Sequence, residues 1–174
     1  MTEQEHAPLP MPVRAIAARY DVAEQAARRW TKDETFPEAT KKGRWDPVLV
    51  DRWMRVNNPG AWAYAQRREG NENPLSLPEL AENELLDARR FGEMMAYLRP
   101  NLPEAERAVP PTTIRGYEAR GFVPVADRRP DDGKEPAVDF VGWYWSTVRE
   151  RIYASRQLSA TRVAATADAD REQS

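Results

Sequence analysis

Thr112-Thr113-Ile114-Arg115-Gly116-Tyr117-Glu118-Ala119-Arg120-Gly121-Phe122-Val123-Pro124 is the stretch that decides how this chain is read. A threonine at 112 or 113 can cap a helix by accepting from its first free N–H groups. Ile114 and Tyr117 lie one turn apart and face inward, which leaves Thr113, Arg115, Glu118 and Arg120 outward. Gly121 stands where a helix ends on a left-handed residue, and Pro124 cannot continue a helix. The stretch is therefore a short basic helix, stopped by glycine and followed by extended chain.

A looser version of the same layout lies near the N-terminus. Val13, Ile16, Ala17 and Tyr20 form one apolar helical face. Asp21-Val22 makes a turn. Ala23, Ala27 and Trp30 then continue on a second helix whose opposite face carries Gln25, Arg28, Arg29 and Lys32. Two short helices joined by a tight turn, the second basic outside, describe a helix-turn-helix. Phe36-Pro37 breaks the helix. Residues 39–45 form a small hairpin around Lys41-Lys42-Gly43-Arg44. Pro47 opens another helix at a position that tolerates proline, with Leu49, Val50, Trp53 and Met54 as its buried face. Asn57-Asn58-Pro59-Gly60 reads as a turn, and one or two helical turns follow over 62–68.

The run Thr-Ile-Arg-x-Tyr-Glu leading into glycine, a large apolar residue and proline resembles the recognition helix and wing entry of the MerR superfamily. The order over residues 13–54 resembles the excisionase and AlpA-like branch of that superfamily: helix, turn, basic helix, Phe-Pro, basic hairpin, Trp-Asp, helix. The resemblance implies tandem winged helix-turn-helix modules in a mainly α fold with small β wings. It also implies that Thr113, Arg115 and Tyr117 secure the DNA backbone, with the helix N-terminus near phosphate. The chain departs from the pattern at Ala23, where a serine is usual, and at Gly116, where a second tyrosine is common.

The second module is expected to begin with a helix over 84–98, capped by Asn83, with Ala88, Phe91, Met95 and Leu98 on one side. A proline-rich insertion at 99–111 stands where the first module has a tight turn. Residues 123–140 form a longer wing in which Arg128, Arg129 and Lys134 flank the turn signal Asp132-Gly133. Val138-Asp139-Phe140 parallels Trp45-Asp46-Pro47, and an aromatic-rich helix is expected over 141–153. The expected division is a flexible tail at 1–11, module 1 at 12–68, an acidic linker at 69–84, module 2 at 85–156 and a flexible tail at 157–174.

Net charge is −2, but it is unevenly distributed. Residues 12–68 hold twelve basic and seven acidic side chains, and residues 69–111 hold four and nine. Residues 112–162 hold nine and seven. Local fields decide contact with phosphate, so an acidic total does not exclude a nucleic-acid binder. The absence of cysteine removes disulfides, thiolate metal sites and thiol catalysis. The one histidine is His6. No catalytic set, phosphate-binding glycine loop, cofactor motif or metal-ligand spacing is present, so neither enzyme activity nor a cofactor or metal is expected. Asp131, Asp132 and Glu135 lack EF-hand spacing and read as a solvated hairpin tip. By their helical spacing Trp30, Trp45, Trp53, Trp143 and Trp145 read as core residues rather than base-stacking platforms, and Trp62 is left unassigned. No apolar run approaches the ~18 residues of a membrane span, and residues 1–6 do not resemble a signal peptide, so a cytoplasmic, nucleoid-associated protein is expected.

These readings converge on sequence-specific binding of double-stranded DNA. Gln25, Arg28, Arg29 and Lys32 would enter one major groove. Thr113, Arg115, Tyr117 and Arg120 would act from the second module. Lys41, Lys42 and Arg44, and separately Arg128, Arg129 and Lys134, would lie along phosphate. No long dimerising helix or effector domain follows either module. This favours a small regulator or a recombination directionality factor that reads an asymmetric site as a monomer or weak homo-oligomer. A recombinase, a replication protein or RNA polymerase would be its protein partner. Two other classes remain open: a partition or replication accessory protein, and a winged-helix adaptor between proteins.

Overall fold

The computed structural model describes residues 9–154. Residues 1–8 of the tail expected at 1–11, His6 among them, and all of the tail expected at 157–174 lie outside the described residues. The chain is mainly helical, with two small antiparallel sheets among the described residues.

The first half begins with β1 (Met11–Pro12), which runs straight into α1 (Val13–Tyr20). Met11 was expected in a flexible lead but pairs with Trp45. Ile16, Ala17 and Tyr20 are buried as their spacing predicts. Asp21 closes α1 in the left-handed region at φ 51°, and α2 (Glu24–Trp30) follows almost at once. Ala23 sits at the N-cap of α2 and gives no side-chain hydrogen bond, the consequence expected of alanine there. Beyond the Lys41–Arg44 bridge, β2 (Arg44–Trp45) pairs with β1. Asp46 caps α3 (Pro47–Asn57) by accepting from the Val48 N–H at 2.8 Å. Val50, Trp53 and Met54 are buried, but Leu49 is 38 % exposed. Leu49 lies at the rim of the apolar stripe, one residue before its centre. The predicted turn at 57–60 shrinks to Asn58, because Pro59 starts α4 (Pro59–Arg68) at once.

The second half repeats this order from β1 to α3, with added turns between its two equivalent helices and no counterpart of α4 among the described residues. β3 (Leu85–Asp87) leads directly into α5 (Ala88–Met95), and β4 (Gly142–Tyr144) leads directly into α8 (Trp145–Tyr153). β3 and β4 pair antiparallel with Leu86 opposite Trp143, as Met11 stands opposite Trp45. The structural counterpart of Trp45 is therefore Trp143, five residues beyond Val138, where the sequence parallel had placed it.

That pairing corrects two expectations. The first helix of this half starts at Ala88 and is capped by Asp87, not Asn83, because residues 85–87 are committed to the sheet. Residues 142–144 are strand rather than helix for the same reason. Gly142 permits the close approach, since a Cβ there would meet the Leu85 side chain at 2.7 Å. The helix expected to reach residue 98 ends at Met95 and is continued by a 3-10 turn at Ala96–Leu98; the insertion after it holds α6 (Glu104–Arg107), and α7 (Pro111–Ala119) follows. Neither Thr112 nor Thr113 caps α7. Pro110 and Pro111 occupy its start, so no side-chain cap is made.

The end of α7 follows the sequence closely. The Phe122 N–H donates to the Tyr117 carbonyl at 2.8 Å, and the Gly121 N–H to that of Glu118 at 3.0 Å. Gly121 has φ 72°, and the Tyr117 and Phe122 rings meet edge to face at 6.0 Å. Together these form a complete Schellman motif with its apolar contact.

A continuous apolar core spans both halves. All six tryptophans pack into it or against it. Trp143 and Trp145 are almost fully buried, and Trp53 and Trp62 nearly so. The segment expected as a linker is bonded into this frame. Asn73 accepts from the Tyr153 hydroxyl at 3.0 Å and donates to the Leu77 carbonyl at 2.8 Å, and Leu77 is buried. Glu82 pairs with Arg149 at 2.5 Å, and its carbonyl accepts from the Ser146 N–H. The Arg67 guanidinium lies 4.4 Å over the Tyr153 ring. These contacts tie α4 of the first half to α8 of the second.

Candidate nucleic-acid interface

Helix α2 is held by its inner face and is free on the other. Ala27 is fully buried, and Trp30 meets Tyr20 at 6.3 Å and Trp53 at 6.4 Å. Gln25, Arg28, Arg29 and Lys32 are all exposed. Arg28 pairs with Glu24 at 2.6 Å within the helix, with 66 % of its side chain in solvent. Such a surface pair is worth little and opens at small cost. Arg29 and Lys32 form no ion pair among the described residues.

The first hairpin adds Lys41, Lys42 and Arg44, all exposed. Arg44 donates to the Pro10 carbonyl at 3.4 Å, and neither lysine has an ion-pair partner among the described residues. Gly43 supplies the turn at φ 69°. Residues 39–45 hold three basic and no acidic side chains. Asp33 stands between helix and hairpin. Hydrogen bonds from the hydroxyl and N–H of Thr35 hold its carboxyl below the usual range.

The second half differs in how its cations are used. Arg128, expected along phosphate, is only 5 % exposed. It pairs with Asp132 at 2.9 Å and donates to the carbonyls of Lys134 at 3.0 Å and Pro136 at 2.6 Å. It is the internal tie of the long loop, and the phosphate role given to it is withdrawn. Asp132 also accepts from the backbone N–H groups of Arg129 and Lys134. The Arg128 guanidinium, then those N–H groups, hold its carboxyl far below the usual range. Arg129 is paired with Glu118, and Lys134 donates to the Asp127 carbonyl at 3.2 Å. Residues 125–140 hold three basic and five acidic side chains, so this loop is acidic overall.

On α7, Arg115 is exposed and Thr113 half-buried. Tyr117 is half-buried against Phe122. Arg120 folds back over both rings at 5.4 and 5.5 Å and donates to the Gly116 carbonyl at 3.0 Å. Of the four residues expected to read DNA from this half, Arg115 alone presents a charge not already engaged.

Asp51 was missed by sequence reasoning. It accepts from the Tyr20 hydroxyl at 2.8 Å, Trp62 Nε1 at 3.0 Å, Arg19 at 3.1 Å and Gln66 at 3.4 Å. Burial, then the Asp51 hydrogen bond, pushes the Tyr20 hydroxyl well above its usual range. This carboxylate joins α1, α3 and α4 and fixes the frame that carries α2. The only sequence signal was its place on the polar side of α3. Arg52 and Arg55 were missed as well, although their spacing puts them opposite Val50, Trp53 and Met54.

Among the described residues no group of His, Asp or Glu side chains is arranged to hold a metal ion. No helix among them is long and apolar enough to cross a membrane. Comparison with family models, with curated proteins and with solved structures gave no match.

Proposed function

We propose that this chain is a tandem winged helix-turn-helix protein that binds double-stranded DNA through α2 and the first hairpin. The observation that carries the reading is the state of the cations there. Arg29, Lys32, Lys41 and Lys42 are exposed and unpaired among the described residues, and Arg28 is held only by a solvated ion pair. Arg29 lies on α2, Lys32 in the turn that follows it, and the two lysines on the hairpin, rather than scattered over the surface, which is how a winged helix presents a groove-reading helix and a phosphate-contacting wing. The repeated element order, with its equivalent strand pairs, supports two modules of one kind. Their resemblance to MerR-type and excisionase-like proteins adds a biological role: a small regulator or recombination directionality factor acting in the nucleoid.

The second module is then the weaker DNA contact. Its wing is acidic and its buried arginine is structural, so it contributes through the N-terminal end of α7 and Arg115. The same features favour, as a second reading, a protein-binding role for that half. An experiment on the first reader tests the proposal. Arg28→Ala and Arg29→Ala should each weaken binding to a selected duplex, because an arginine bidentate to guanine carries ~1–3 kcal/mol of discrimination. Thermal stability should not change, since both side chains are exposed. Unaltered affinity in both variants would remove α2 from the interface.

A further inference from the structure

The α3 face opposite the core carries a stripe that DNA reading does not use. Val48, Arg52, Arg55 and Val56 recur at helical spacing on the side away from Val50, Trp53 and Met54. Val48 is 53 % exposed and Val56 44 %. Trp53 on the core side faces Trp30 of α2, so the stripe points away from the reading helix.

Two cavities flank this stripe, of about 460 and 480 Å³. Arg55 and Trp62 line both, with the Arg55 guanidinium 5.4 Å over the Trp62 ring. Together they make one groove, from the start of α3 to the junction of the two halves. There Tyr97, 37 % exposed, forms part of the far wall.

The charges in the groove are not balanced. Asp51 is occupied by its four donors, and Glu93 is paired with Arg89 at 2.5 Å. Arg52, Arg55 and Arg107 have no ion pair among the described residues, and Glu104 is the one carboxylate facing them without one. Apolar side chains at helical spacing, flanked by unmatched guanidinium groups, complement an acidic amphipathic segment. Phosphate would match the arginines and leave Val48, Val56 and Tyr97 uncovered.

We propose that this groove docks an acidic, apolar-anchored helix of a partner protein while α2 faces DNA. The stripe from Val48 to Val56 covers about 12 Å, or two turns, which suits the i, i+4, i+7 anchors of a helix laid in a groove.

The test uses the full chain and a fluorescein-labelled helical peptide of about four turns, with leucines at that spacing and glutamates between them. A peptide with lysine in place of each glutamate is the control. Anisotropy should report micromolar binding of the acidic peptide and at least tenfold weaker binding of the basic one. Arg52→Glu with Arg55→Glu, and separately Val56→Asp, should each weaken the acidic peptide by about tenfold or more. All three positions are exposed, and circular dichroism checks that the fold is kept. The proposal is overturned by no micromolar binding, by equal binding of the two peptides, or by indifference to both variants. It is also overturned if the arginine variant weakens duplex DNA binding as much as Arg28→Ala does, which would give this face to DNA. Sedimentation showing a dimer that this variant dissociates would give the groove to a second copy, and would overturn it too.

Discussion

Two glycines sit inside helices of the second half, and the structure assigns them opposite roles. A Cβ on Gly92 in α5 would lie 1.8 Å from the carbonyl oxygen of Val109. The obstacle is backbone, so it cannot rotate away. Gly92→Ala must drive α5 and the start of α7 apart by more than an ångström to reach the 3.0 Å below which such contacts do not occur. The same movement strains the hydrogen bond from the Val109 N–H to the Gly92 carbonyl, now 3.0 Å, and opens the packing around the buried Val109 and Phe91. Overpacking of this kind costs about 1–3 kcal/mol, and a lost backbone bond about 1 more. Alanine's better helix propensity returns up to about 1 kcal/mol. The net loss is roughly 1–3 kcal/mol. Followed by tryptophan fluorescence, the urea midpoint should fall by roughly 0.5 M or more. DNA affinity should fall with it to the extent that α7 contributes, because α5 is the helix on which α7 rests. A Gly92→Ala protein as stable as the parent would refute this account of the α5–α7 contact.

Gly116→Ala should behave in the opposite way. A Cβ there meets only the Arg120 side chain, at 3.7 Å, so α7 gains up to about 1 kcal/mol and the urea midpoint rises. Asp51→Ala leaves the Tyr20 hydroxyl and Trp62 Nε1 without their acceptor. It should destabilise by about 1–3 kcal/mol on denaturation, whereas Asp51→Asn, which keeps an acceptor oxygen, should lose less. The Asp132 carboxyl is held far below its unfolded value, so its stabilising effect is full above about pH 4 and is lost as pH falls toward its folded value. An NMR titration should show Asp132 still ionised at pH 3, and Arg128→Ala should raise its midpoint toward the ordinary range, with the N–H groups of Arg129 and Lys134 still holding it below that range.

The first half was legible because its elements are held by short-range signals. The spacing of Ile16, Ala17 and Tyr20, the turn at Asp21-Val22 and the Pro47 start each act within one or two turns. Gly121 was legible for the same reason, since a Schellman motif is closed by residues at most five apart. The start of α5 was not. Leu85-Leu86-Asp87 becomes strand only because Gly142-Trp143-Tyr144, more than fifty residues away, offers an edge, and no local pattern announces that partner. Arg128 was misread for a related reason. A basic residue near a hairpin turn is usually solvated, and only the folded loop brings Asp132 and the carbonyls of Lys134 and Pro136 around it. Asp51 was invisible as a hub because its donors come from α1 and α4. The residues of the first basic face needed no such partners to be recognised, because exposure is what their positions on α2 and the hairpin already predicted.

The most direct test of the central claim is the salt dependence of duplex binding by the whole chain. Each phosphate contact contributes ~0.9 to the slope of log affinity against log salt. The full chain is titrated by anisotropy into a duplex of about two helical turns across a range of salt, beside a variant carrying Lys41→Ala, Lys42→Ala and Arg44→Ala. The parent should bind with a steep negative slope, and the variant's slope should be shallower by roughly 2 to 3. No binding at low salt, or identical slopes for parent and variant, would contradict a DNA interface built on α2 and the first hairpin.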